Sequence, residues 1–82
     1  MDFGKLDAKT QDRLVQFGNF IKEERTKKEL YQYELAEMLG VTQSYISHIE
    51  RGERDIDLSL LLKLCDVLDA NFGEYINIIR KE

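Results

Sequence analysis

Gln43, Ser44, Ser47 and His48 stand close together in this chain, and their types limit the chemistry they can do. An amide, two hydroxyls and an imidazole donate and accept hydrogen bonds without carrying a fixed charge. Tyr45, Ile46 and Ile49 alternate with them at helical spacing, so burying that apolar side turns the polar four outward. Short polar groups near the start of an exposed helix suit the donor and acceptor pattern that base edges present in a DNA major groove.

Such a helix has to be held at a defined angle, and the preceding residues supply the means. Residues 32–51 read as helix, turn and helix. Leu35, Ala36 and Leu39 share one side of the first helix. Gly40 can adopt the positive φ of a sharp helix stop, Val41 follows as an apolar plug, and Thr42 offers a hydroxyl to cap the next helix.

Around this unit the spacing predicts an all-α domain of five helices, with residues 1–9 as an N-terminal lead-in and 10–82 as the domain. Asp7 or Thr10 is placed to cap a first helix that runs to about Lys28, with Leu14, Phe17, Ile21 and Arg25 on one face. The second helix spans about 32–39 and the third about 43–51, ended by Gly52. Asp57 caps a fourth, about 58–69, whose stripe is Leu58, Leu61, Leu62, Cys65 and Leu68. Cys65 on that stripe reads as a buried structural thiol. Asn71 and Gly73 mark a turn before a last helix of about 73–80. Ile76 and Ile79 would complete the core there, leaving Ile78 and Tyr75 outward. An exposed apolar patch on so small a domain predicts a partner surface, here a homodimer. Two-fold symmetry would set the two third helices about 34 Å apart, one turn of DNA, and imply a palindromic operator.

Composition bounds the alternatives. Eighty-two residues make one domain; hydrophobic residues are 43% and charged residues 34%, within the range of folded soluble proteins. The single cysteine, Cys65, excludes an internal disulfide, so stability rests on the apolar core. Met1-Asp2-Phe3-Gly4-Lys5 lacks the basic start and apolar run of a signal peptide, and Leu58 to Cys65 is too short to span a bilayer. Cytoplasmic residence, in a prokaryotic cell or a phage-infected host, is the expectation. The net charge of −4 opposes nucleic-acid binding but is uneven. Residues 30–54 hold two basic and four acidic side chains, and 55–82 hold three and six. A protein so charged should bind non-specific DNA weakly and rely on hydrogen bonds and helix dipoles.

The order and spacing of three motifs carry a resemblance. Phe17-Gly18-x-x-Ile21-x-x-x-Arg25, Gln32-x-x-Leu35-Ala36-x-x-x-Gly40-Val41 and Ser44-x-Ile46-Ser47-x-Ile49-Glu50-x-Gly52 together resemble the lambda-repressor-like (Cro/repressor, or xenobiotic-response-element) helix-turn-helix regulators, over about residues 14–80. The resemblance implies a transcriptional regulator, a repressor if it acts by occupying a promoter, with activation by contact with polymerase equally open to this fold. It implies base contacts from Gln43, Ser44 and His48, with Ser47 a lesser one; the Gln43 amide suits adenine N6 and N7. It further implies phosphate contacts from Gln32, Thr42, Arg51 and Arg54, and a positional salt bridge between Arg25 and Glu50. One departure is Tyr31, which stands where the family usually has Ser or Thr capping its second helix. A tyrosine hydroxyl lies too far from its own backbone for that work.

Two rival functions follow from the same residues. A protein-interaction module with this fold and no DNA affinity draws support from the −4 charge. An enzyme is disfavoured, because no Gly-rich phosphate loop, metal-ligand cluster or nucleophile–base pattern is present. No cofactor, metal or small-molecule ligand is expected.

Overall fold

The computed structural model describes residues 7–81, which form α1 (Ala8–Lys27), α2 (Gln32–Leu39), α3 (Gln43–Glu50), α4 (Leu58–Leu68) and α5 (Phe72–Arg80), with no strand among the described residues. Side chains cap four of the five helices. Asp7 Oδ1 accepts from Thr10 N at 2.7 Å, Thr42 Oγ1 from Tyr45 N at 3.1 Å, Asp57 Oδ1 from Leu60 N at 2.8 Å and Asn71 Oδ1 from Glu74 N at 3.2 Å. Each satisfies an N–H that a first helical turn leaves without a partner. At α2 the tyrosine hydroxyl does no capping, and instead Glu34 Oε1 reaches back to accept from Tyr31 N at 2.9 Å.

Of the two cap candidates, Asp7 rather than Thr10 starts α1. Ala8 and Lys9, assigned above to the lead-in, form the first turn of α1. Residues 1–6 of that lead-in lie outside the described residues, as does Glu82.

The core draws on every helix: Phe17 and Ile21 from α1, Leu35, Ala36 and Leu39 from α2, Ile46 and Ile49 from α3, Leu60, Leu64 and Leu68 from α4, and Phe72 and Ile79 from α5. Burying each of the larger ones contributes roughly 1.5–3 kcal/mol before chain entropy is set against it. Gly18 is a point of close approach between α1 and α3. A Cβ there would lie 2.5 Å from the carbonyl oxygens of Ile49 and Glu50, so only glycine lets α1 lie this close to α3.

Three expectations about the C-terminal helices need correction. In α4 the buried residues are Leu60, Leu64 and Leu68, while Leu58 and Leu62 are 69% and 57% exposed and Leu61 and Cys65 half-buried. The segment is apolar almost all round, so helical spacing fits two overlapping stripes equally well, and packing against α2 and Phe72 selects one. Cys65 is accordingly half-buried rather than a core thiol. In α5, Ile78 points out as expected, 44% exposed, but Tyr75 turns in. Its ring stacks on Phe20 of α1 with centroids 4.1 Å apart, and its hydroxyl donates to Glu24 Oε1. An aromatic face and a carboxylate on α1 together outweigh exposure of the ring. That bond holds the Glu24 carboxyl below the usual carboxylate range and pushes the Tyr75 phenol up to about 12.

Candidate nucleic-acid interface

The turn between α2 and α3 is set by Gly40, which adopts φ +73 and ends α2 in the left-handed conformation. Its N–H and that of Val41 return to carbonyls of the last turn, closing the helix end. Val41 packs half-buried against the core, and Thr42 then starts α3 by its hydroxyl cap. Leu35, Ala36 and Leu39 of α2 meet Ile46 and Ile49 of α3 inside the core. The α2–α3 angle is therefore fixed by packing on one side and by a tight, glycine-dependent turn on the other.

A polar network locks this unit to α1. Arg25 donates from Nε to Glu50 Oε2 at 2.7 Å and from Nη2 to Glu50 Oε1 at 3.0 Å, a bidentate pair whose side chains are 11% and 2% exposed. The remaining guanidinium nitrogen, Nη1, donates to Leu30 O at 2.7 Å. Gln32 Nε2 donates to the same Glu50 Oε1 at 3.0 Å. Glu50 thus gathers three hydrogen bonds from two helices, and no buried side-chain nitrogen or oxygen among the described residues lacks a partner. The Arg25–Glu50 pair matches the sequence expectation. Gln32 is half-buried and has one amide hydrogen committed to Glu50, a bond not expected from the sequence. The sequence carried no local sign of this, because the acceptor lies on another helix.

The expected base-contacting residues fall on one face of α3. Gln43, Ser44 and His48 are exposed and Ser47 is half-buried. Gln43 and Ser44 make no side-chain hydrogen bond within the described residues. His48 differs, since its Nδ1 lies 3.1 Å from Glu53 Oε1. Arg51 Nη2 lies 3.0 Å from that same oxygen and 3.4 Å from His48 Nδ1. Arg54 makes no ion pair among the described residues but lies over the Tyr45 ring, its guanidinium carbon 4.5 Å from the centroid. Thr42 is exposed, its oxygen accepting the Tyr45 N–H. Tyr31 and Tyr33, both exposed at the start of α2, stack with centroids 5.7 Å apart, a pair that the sequence reading missed. Adjacent aromatics at a helix start were the available signal.

No group of three or more His, Cys, Asp or Glu side chains among the described residues is placed to hold a metal ion, and no described helix is long and apolar enough to cross a membrane.

A helix-turn-helix family model matches residues 21–75 of this chain. The control protein C.MunI of a Mycoplasma species is 33% identical over 72 residues, covering 87% of this chain and 97% of that protein. A putative HTH-type transcriptional regulatory protein of Thermococcus kodakarensis is 33% identical over 63 residues, 77% of this chain. The chain spans only 20% of the length of that relative. Among solved structures, the restriction-modification controller protein C.AhdI from Aeromonas hydrophila aligns with a TM-score of 0.67 at 43% identity, over 71% of this chain and 88% of its own.

Proposed function

Because this chain belongs to the helix-turn-helix family of DNA-binding regulators, we propose that it acts as a homodimeric transcriptional repressor whose α3 reads a palindromic operator. The observation that carries this reading is the outer face of α3. There Gln43 and Ser44 stand exposed with no side-chain hydrogen bond among the described residues, on a helix whose orientation is fixed by the Gly40 turn and the buried Arg25–Glu50–Gln32 network. Unused hydrogen-bonding groups on a rigid mount are what direct base readout requires. Gln43 would pair with adenine, with Ser44, Ser47 and His48 contacting neighbouring bases. Phosphates would be met by the Thr42 hydroxyl, by Arg51 and Arg54, and by Gln32 through its second amide hydrogen and its N–H in the first turn of α2.

The dimer contact falls on the C-terminal helices. Leu58 and Leu62 stand one helical turn apart and exposed on α4, and Ile78 is exposed on α5. Three large apolar side chains left in water mark a surface that a second copy would cover. Tyr75 contributes there by its rim only, since its ring face rests on Phe20. A role like that of the restriction-modification controller C.AhdI is supported by 43% identity to that structure over 71% of this chain. The place of action is the prokaryotic cytoplasm.

Selection from a randomised duplex pool at low salt tests this reading. Enrichment of a palindrome with half-sites one helical turn apart is expected. No enrichment by a folded protein would transfer the reading to a protein-interaction module, which the −4 net charge also fits.

A further inference from the structure

Glu53 sits just past the end of α3, where the backbone leaves it little choice of position. Gly52 N donates to Ile49 O at 3.0 Å and Glu53 N to His48 O at 2.9 Å, with Gly52 at φ +72. This is the double-bonded left-handed helix stop in which the second residue beyond the helix folds back onto the last turn. Gly52 is also held from the other side, for a Cβ there would fall 2.6 Å from the Val15 backbone. Such stops commonly bring two apolar side chains together across the bend. Here they bring a carboxylate to a histidine, and Arg51 joins them. One oxygen, Glu53 Oε1, lies 3.1 Å from His48 Nδ1 and 3.0 Å from Arg51 Nη2.

All three side chains are about half exposed, so the cluster adds little to folding. Its consequence lies instead in what α3 offers to an approaching polyanion. His48 and Arg51 are the two basic side chains in the last turn and cap of the helix, and the same carboxylate oxygen engages both.

We propose that Glu53 is an internal stand-in for DNA phosphate, holding Arg51 and His48 so as to suppress sequence-independent DNA affinity. The inference rests on the DNA-binding reading above. A loosely held, non-specific complex gains mainly from long-range charge attraction, which the nearby carboxylate cancels. A fully docked complex forms short, directed hydrogen bonds to phosphate oxygens and base edges, and these can replace the bonds that His48 and Arg51 make to Glu53. The carboxylate therefore penalises wrong sites more than the right one, and a chain of net charge −4 can still discriminate. The stop geometry places position 53 where a single carboxylate oxygen meets both His48 and Arg51.

The test measures the full chain against a random-sequence duplex by fluorescence anisotropy, at about 50 mM and about 200 mM salt. Glu53→Gln is expected to bind about three- to tenfold more tightly at the lower salt, with a log–log salt slope steeper by about one. Asp66→Asn removes the same charge from exposed α4 and should change affinity by less than roughly twofold. Adding Arg51→Gln to Glu53→Gln should abolish most of the gain. The proposal is overturned if Glu53→Gln binds no better than Asp66→Asn, or if the double variant keeps the whole gain. A wild-type protein that is folded by circular dichroism yet has no affinity for any duplex would instead sink the DNA-binding reading, and this inference with it.

Discussion

Two neighbouring residues of α1 tie the two ends of the molecule down in different ways. Arg25 reaches α3, where it makes a bidentate, buried pair with Glu50 that also recruits Gln32 and the Leu30 carbonyl. Glu24 reaches α5, where it accepts one hydrogen bond from Tyr75 in a part-exposed position. The α2–α3 side is thus fixed by several mutually oriented bonds in a dry setting. The α4–α5 side is held by packing and by the Tyr75–Glu24 bond, and leaves Leu58, Leu62 and Ile78 exposed. The contrast teaches how one small fold divides its work. Under the reading proposed above, the half that must present hydrogen-bonding groups at fixed angles is over-determined, and the half that must receive a second copy is left incomplete.

The largest effect should come from breaking the buried pair. Arg25→Ala strands the Glu50 carboxylate, and Glu50→Ala strands the guanidinium, each costing about 3–5 kcal/mol. That is comparable with the whole stability of many domains of this size. Chemical denaturation should find either variant largely unfolded or strongly destabilised. A loss below about 1 kcal/mol would mean that the network does not fix α3 to α1. Next comes Gly18→Ala, whose added Cβ must push α1 off the Ile49 and Glu50 carbonyls. Overpacking of this kind costs about 1–3 kcal/mol, and it should loosen Arg25–Glu50 at the same time. An unchanged denaturation midpoint would show that the helices have room to separate.

The same division explains how far the sequence could be read. The α2–turn–α3 unit was legible because its determinants are local: the Gly40 stop, the Thr42 cap and two short apolar faces at helical spacing. The Arg25–Glu50 pair was visible only through resemblance, since nothing local links residues so far apart. The bond from Gln32 to Glu50 was hidden for the same reason, the acceptor lying on α3. In α4, an almost uniformly apolar segment offered two stripes, and only the packed neighbours show that Leu60 and Leu64 face in while Leu58 and Leu62 do not. Phe72, fully buried and tilted against Phe17 at 5.5 Å, stands at helical spacing before Tyr75, Ile76 and Ile79, and falls outside a helix that is started at 73 rather than directly after the Asn71 cap. Tyr75 turns inward toward Phe20, a partner that no pattern within α5 could indicate.

Tyr75→Phe removes the hydrogen bond from α5 to Glu24 and should cost about 0.5–1.5 kcal/mol near neutral pH. Its pH dependence is the sharper test. Glu24 is held below its ordinary value, so its share of stability is present above the usual carboxylate range and lost as pH falls through the folded value. Tyr75 is raised from 10.0 to about 12, so its share is complete below pH 10.0 and lost as pH rises through about 12. Both shifts describe one hydrogen bond and count once. The stability difference between wild type and Tyr75→Phe should therefore be flat through neutrality and shrink at both extremes. A difference that persists unchanged above pH 12 would show that the hydroxyl does not bond to Glu24.

Leu62→Lys should change monomer stability least and assembly most. The side chain is 57% exposed, so replacing it leaves the described core intact and should alter unfolding by no more than about 0.5 kcal/mol. If α4 and α5 form the contact between two copies, a charge set one turn from Leu58 must be desolvated on association, and sedimentation should show monomer where the wild type shows dimer. Binding to a palindromic duplex would then weaken and lose its dependence on half-site spacing, whereas a single half-site would be bound as before. A variant that stays dimeric would move the contact off Leu62 and leave the apolar face of α4 without a role in pairing. The two ends of the molecule would then differ in rigidity alone, because incompleteness at the C-terminal end would no longer mark the place of a second copy.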